Sequence, residues 1–136
     1  KICALANSIF PEFEPCKFEP KNETGHNGVF LIEPDDVNSY LEKYHPVQLR
    51  DKISVAVNSQ YPSMNFGESK GLTFERVLIY PTKPMLNWLL NHTKELPAQS
   101  KSKLYVAITR AIYSVGIVFN NKKKIEIEGI CQYKAD

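Results

Sequence analysis

Short apolar runs of strand length alternate along this chain with segments of helical period, and this alternation restricts the fold more than any other feature of the sequence. Gly28–Ile32 and residues 53–57, 76–80, 113–119 and 125–130 are strand-length apolar or β-branched runs, with a shorter piece at 64–66. The runs at 53–57 and 76–80 read as strands buried on both faces. Between the runs lie helical patterns. Ile2, Leu5, Ala6 and Ile9 follow the 3.6-residue period until Pro11 stops it. Val37, Tyr40, Leu41 and Tyr44 repeat it after Pro34-Asp35-Asp36, where negative charge suits a helix N-terminus. Residues 85–91 carry a stripe of Met85, Leu86, Leu89 and Leu90 around Trp88, and residues 102–110 place Leu104, Ala107, Ile108 and Ala111 on one face. Residues 12–25, with Pro15, Pro20 and many charges, read as a surface connection. Strands interleaved with helices predict an α/β layer fold with a mostly parallel sheet flanked by helices. In such sheets ligands sit at the carboxyl ends of strands, so the loops after Phe66 and Tyr80 and the end of the 102–110 helix are the places to search.

The 136 residues suit one domain, read here as residues 1–136. A net charge of +2 is too small to draw the whole molecule onto a polyanion, so any nucleic-acid contact is a local patch. Cys3, Cys16 and Cys131 are widely spaced, form no CxxC pair and read as reduced intracellular thiols. No apolar stretch approaches the ~20 residues that span a bilayer, and the opening KICALANSIF lacks the cleavage pattern of a signal peptide. The first residue is Lys, from which the expectation is a piece of a longer chain.

Most residues that suggest chemistry have a plainer account. None of the six glycines satisfies GxxxxGK[ST], so the chain has no phosphate loop of its own. His26, His45 and His92 pair with no recognisable nucleophile and read as solvated. Lys122-Lys123-Lys124 is the kind of charge run that fills a hairpin turn. Gly67-Glu68-Ser69-Lys70-Gly71 is, by composition, a flexible turn holding a lysine.

Two segments rise above this background: NFGESKGLTFERVLIYP at 65–81 and KLYVAITRA at 103–111. Lys70-Gly71-Leu72, Phe74 and Val77 match K-G-L-E-F-x-x-V, and Leu104-Tyr105-Val106-Ala107 with Thr109-Arg110-Ala111 match L-Y-V-A-x-T-R-A. Together, and in this order, they resemble motifs V and VI of the superfamily 1 DNA helicases of the UvrD and Rep type. KICALANSIF resembles the helix that follows motif IV. The interval from Lys1 to Lys70 has no space for the large accessory subdomain of the long UvrD-type enzymes, so the similarity is to the compact members.

The resemblance implies the second, C-terminal RecA-like domain of an ATP-dependent DNA helicase, a P-loop-NTPase-type fold lacking its own Walker A. It implies an intracellular protein of bacterial or phage type. ATP and Mg²⁺ would be held mainly by an N-terminal RecA-like domain of the same parent chain, and single-stranded DNA would run across both. Arg110 would be the catalytic arginine, contacting the γ-phosphate; Lys70, Gly71 and Thr73 would line the nucleotide, and Asn65, Gly67 and Lys70 the DNA. The chain departs from the family at Thr73, where Glu is common, and at Gly67, where the motif V histidine is expected. A degenerate domain that only binds nucleic acid or protein is therefore the alternative. On either reading the isolated chain is expected not to hydrolyse ATP.

Overall fold

The computed structural model describes residues 2–11, 24–91, 96–121, 125–127 and 129–134. Its elements are α1 (Ile2–Ile9), β1 (Gly28–Ile32), α2 (Val37–Tyr44), β2 (Val47–Arg50), β3 (Ser63–Asn65), β4 (Phe74–Ile79), α3 (Lys83–Leu90), α4 (Ala98–Thr109), β5 (Ala111–Val118) and β6 (Cys131–Gln132). Single 3-10 turns at Pro34–Asp36 and Phe66–Ser69 lead out of β1 and β3. The strands form one sheet in the order β3-β2-β4-β5-β1-β6, and every strand pair is parallel. The chain is thus α/β with a parallel sheet flanked by helices, as the alternation of runs requires.

Strand alternation divides the core into two layers. Val29, Leu31, Val77, Ile79, Val115 and Ile117 face α1, α3 and α4, where they meet Leu5, Ile9, Met85, Leu89, Leu104 and Ile108. Ile32 and Leu78 face the other way, onto Val37, Tyr40 and Leu41 of α2. The step from β1 across to β2 passes over the α2 face, whereas the step from β4 to β5 passes over the α3 and α4 face. Opposite directions on opposite faces is what a constant crossover hand produces. Gly116 lies where β5 meets β1, β4 and α2: a Cβ there would stand 2.9 Å from Leu78 Cδ1 and 3.2 Å from Ile32 Cγ1.

Two expected strands fall elsewhere. The strand after α2 is Val47–Arg50, not 53–57, whose Ile53 is 81 % exposed. Gln48 and Leu49 are fully buried, and the amide of Gln48 is satisfied by the following loop: its Nε2 donates to Asn58 O at 2.8 Å, and Asn58 N donates to its Oε1 at 3.0 Å. A buried, fully bonded amide outweighs the β-propensity of the neighbouring run. The second displaced strand is the last. Ile127 and Ile130 bridge one another, with Ile130 N donating to Ile127 O and Gly129 at φ +81°, and Cys131–Gln132 then pairs with Phe30 and Leu31. Helix bounds shift less: α3 is Lys83–Leu90, and α4 begins at Ala98 and ends at Thr109.

Pro34-Asp35-Asp36 forms the 3-10 turn, with no carboxylate hydrogen-bonded to the end of α2, so the two aspartates act there by charge alone. Trp88 is 7 % exposed, in the core as its stripe suggests. Cys3 is disulfide-bonded and Cys131 is a free, exposed thiol, which corrects the expectation of three reduced thiols. The connection at 12–23, His92 and Lys122–Lys124 lie outside the described residues.

Candidate functional site

The Lys70-Gly71 segment folds as a tight turn. Leu72 N donates to Ser69 O at 3.0 Å, Lys70 has φ −58° and ψ 127°, and Gly71 has φ +84°. These are type II turn angles, which demand a positive φ at the third position and so explain the glycine. Lys70, at the tip, is exposed, as are Gly71, Leu72 and Thr73. The preceding 3-10 turn anchors this tip through buried Phe66 and Ser69, with Ser69 Oγ donating to Phe66 O at 2.7 Å. Asn65 is half-buried and its backbone N donates to Glu68 Oε1 at 2.8 Å, while Gly67 is exposed on the 3-10 turn.

Arg110 ends α4 and meets that turn. Its Nε donates to Val106 O at 3.2 Å, one terminal nitrogen to Thr109 Oγ1 at 3.2 Å, and the other to Leu72 O at 3.3 Å. Cationic guanidinium at a helix C-terminus is favoured by the unsatisfied carbonyls there. The backbone closes the same junction, because Phe74 N donates to Arg110 O at 2.8 Å and Phe74 pairs with Ala111 at the start of β4 and β5. The two sequence motifs therefore converge on one spot.

That spot is at the amino ends of β4 and β5, not at the carboxyl ends where a parallel sheet ordinarily presents its ligand loops. The reason lies in the connections: the turn runs down from the carboxyl end of β3 and delivers Lys70–Thr73 directly into β4, and α4 delivers Arg110 directly into β5. Of the residues expected at the site, Arg110, Lys70, Gly71 and Thr73 are gathered within this junction. Asn65 and Gly67 stand at the far end of the segment, beyond the turn.

The carboxyl edge holds an open cleft of about 410 Å³ lined by Pro34, Val37, Asn58, Tyr80 and Val118, among others. Its polar side chains already have partners within the chain: Tyr80 donates its hydroxyl to Gln48 Oε1, and Asn58 Nδ2 donates to Asn38 Oδ1 at 2.9 Å. Burial raises the Tyr80 phenol to about 12, so it stays protonated as that donor.

His26 is not solvated. It is 6 % exposed and stacks between Phe30 and Tyr44, each ring 4.0 Å away, with Nε2 2.8 Å from the Tyr40 hydroxyl. Tyr133 meets it edge-on at 5.9 Å. Arg76 closes the cluster, donating to His26 O, to Ser114 Oγ at 3.0 Å and to Thr24 Oγ1 at 2.9 Å, with its guanidinium over Tyr44. Burial lowers the imidazole to about 4, and the charges of Arg76 and then Lys43 push the same way, so the ring is neutral. Tyr40 is raised to about 12 by burial. The cluster sits on the α2 face and joins β1, α2, β4, β5 and the end of β6. No local pattern in the sequence marks this cluster, whose members run from Thr24 to Tyr133.

Among the described residues no three His, Cys, Asp or Glu side chains come together as a metal site, and no helix is long and apolar enough to cross a membrane. Compared with protein-family models and with curated proteins, the chain matches none.

Proposed function

We propose that this chain is the C-terminal RecA-like motor domain of an ATP-dependent DNA helicase, and that it supplies Arg110 to an ATP held mainly by an N-terminal RecA-like domain of the same protein. The observation that carries this reading is the bond from Arg110 to Leu72 O. It joins the two segments that resemble motifs V and VI, which lie 38 residues apart in the chain, at a single exposed edge.

Arg110 would act on charge. As the γ-phosphoryl group transfers to water, negative charge spreads over its oxygens, and a guanidinium aimed at them stabilises that state more than the ground state. Lys70, one residue before the glycine of the turn, adds a second cation to the same edge. Thr73 offers the ribose a hydroxyl where a carboxylate is usual, and Asn65 and Gly67 border the path of single-stranded DNA. Mg²⁺ and the phosphate loop belong to the other domain, and the present chain by itself does not turn over ATP.

The departures at Thr73 and Gly67 favour a second reading, a helicase-like module that binds nucleic acid or protein without driving hydrolysis. One experiment separates them. In the two-domain protein, DNA-stimulated ATP hydrolysis should fall by about 10³-fold or more on Arg110→Ala, with a much smaller change in ATP affinity by titration, and Arg110→Lys should not restore it fully. Near-normal turnover in the Ala variant would overturn the assignment of Arg110, and absence of hydrolysis in the unsubstituted protein would favour the module.

A further inference from the structure

The guanidinium of Arg110 is not left to wander. It has five N–H donors, and three are committed within the chain: Nε to Val106 O, and one on each terminal nitrogen to Thr109 Oγ1 and Leu72 O. Among the described residues one N–H on each terminal nitrogen is left without a partner, so both terminal nitrogens still have a donor for the oxygens of a phosphate. Thr109 is the side chain in this clamp. Its hydroxyl donates back to Tyr105 O at 2.8 Å and to Val106 O at 3.2 Å, so its proton is spent on the helix and a lone pair is left to accept from Arg110.

From this geometry we infer that Thr109 is a positioning residue: with Val106 O and Leu72 O it fixes the plane of the Arg110 guanidinium so that the two remaining N–H groups are held for an incoming polyphosphate. The inference rests on the proposed role of Arg110, and it adds a device that the motif resemblance does not supply. A free arginine carries about 2 kcal/mol of rotamer entropy, which an unclamped side chain loses on binding and a clamped one has already lost on folding. The Leu72 carbonyl reaches the clamp only because the Gly71 turn presents it, so the turn and the threonine are two jaws on one cation.

The test uses the whole chain with ¹⁵N-labelled arginine, inorganic tripolyphosphate as probe, and near-physiological salt. Thr109→Val keeps the β-branched shape and removes the acceptor; Thr109→Ser keeps the hydroxyl. The Arg110 Nε–H resonance should be ordered in the unsubstituted chain and in the Ser variant, and mobile in the Val variant. Tripolyphosphate affinity should fall about 3- to 10-fold with Val, as expected for one lost hydrogen bond, and stay within about twofold with Ser. A purely structural role would move neither the arginine resonance alone nor the Ser-against-Val difference. Equal order at Nε–H in the Val variant, or equal weakening by Val and Ser, overturns the inference. Arg110→Ala distinguishes its failure from failure of the parent reading: loss of binding with Ala but not with Val removes Thr109 alone, whereas unchanged binding with Ala removes Arg110 as a phosphate ligand and Thr109 with it.

Discussion

Acid should unfold this protein earlier than its carboxylates alone would dictate, and the cause is His26. The folded imidazole titrates at about 4 against 6.5 for an ordinary histidine. The folded state thus refuses a proton that the unfolded chain accepts, and stability is complete above the unfolded value, then lost as pH falls from about 6.5 towards 4. At 1.36 kcal/mol per pH unit, the linkage removes about 1.4 kcal/mol by pH 5.5 and about 3 kcal/mol by pH 4. Such a loss is a large share of the 5–15 kcal/mol typical of domain stability. The groups facing the ring all work in this direction or are neutral: Phe30, Tyr40, Tyr44 and Tyr133 exclude water, and Arg76 and Lys43 repel a second cation. The assay is urea unfolding followed by circular dichroism at pH 7.5, 5.5 and 4.5, with His26→Gln in parallel. Gln can still bond Tyr40 but cannot titrate, so the variant should start less stable and lose less between pH 7.5 and 5.5, by about 1.4 kcal/mol. Parallel pH profiles for the two proteins would refute a neutral, proton-refusing His26.

Three further outcomes are expected. Gly116→Ala should cost about 1–3 kcal/mol in urea unfolding, because its Cβ would press on Leu78 Cδ1 at 2.9 Å and Ile32 Cγ1 at 3.2 Å inside a close-packed layer. Gly71→Ala should cost about 1–2 kcal/mol through its φ of +84° although its surroundings are open, whereas Gly67→Ala, equally open and without positive φ, should stay within about 0.5 kcal/mol, both by the same assay. Single-stranded DNA binding by the chain should be weak, indifferent to base sequence and sharply reduced by salt in a fluorescence titration, given a net charge of +2; tight sequence-selective binding of duplex DNA would contradict the proposed surface.

Much of the layer pattern could be read from residue periodicity. Ile2, Leu5, Ala6 and Ile9 mark α1, and Gly28–Ile32 is a strand at the residues its apolar run defines. Those segments fold where local preference and tertiary burial agree. Disagreement explains the misses. Val47–Arg50 contains two polar residues in four, and only the loop that returns with Asn58 and Tyr61 makes buried Gln48 tolerable. The richer β-branched run at 53–57 was the better strand by propensity and lost because no strand face awaited Ile53. His26 lies in a polar, glycine-flanked stretch; the rings that enclose it come from α2, β1 and the residue after β6, contacts that no local pattern encodes. For the candidate site, the motif letters were legible and their convergence was not. Arg110 and Leu72 meet because β4 and β5 are neighbours whose pairing begins at Phe74 and Ala111, so that both enter the sheet at the same edge.

The order of the strands also bears on which parts of the sheet are open to pairing with another chain. Among the described residues the longest strands, β4 and β5, lie inside the sheet, and the two outermost are the shortest, three residues in β3 and two in β6. An open row of backbone donors and acceptors is a template for other chains, and short borders leave little of it to copy. The protection is uneven. Beneath β6 runs GVFLI, five residues without a charge, and only Phe30 and Leu31 are paired by the cover strand. Detachment of Cys131–Gln132, whether by proteolysis or by modification of the exposed thiol, would turn that apolar strand into a border and give the molecule the sticky flank that its strand order otherwise hides.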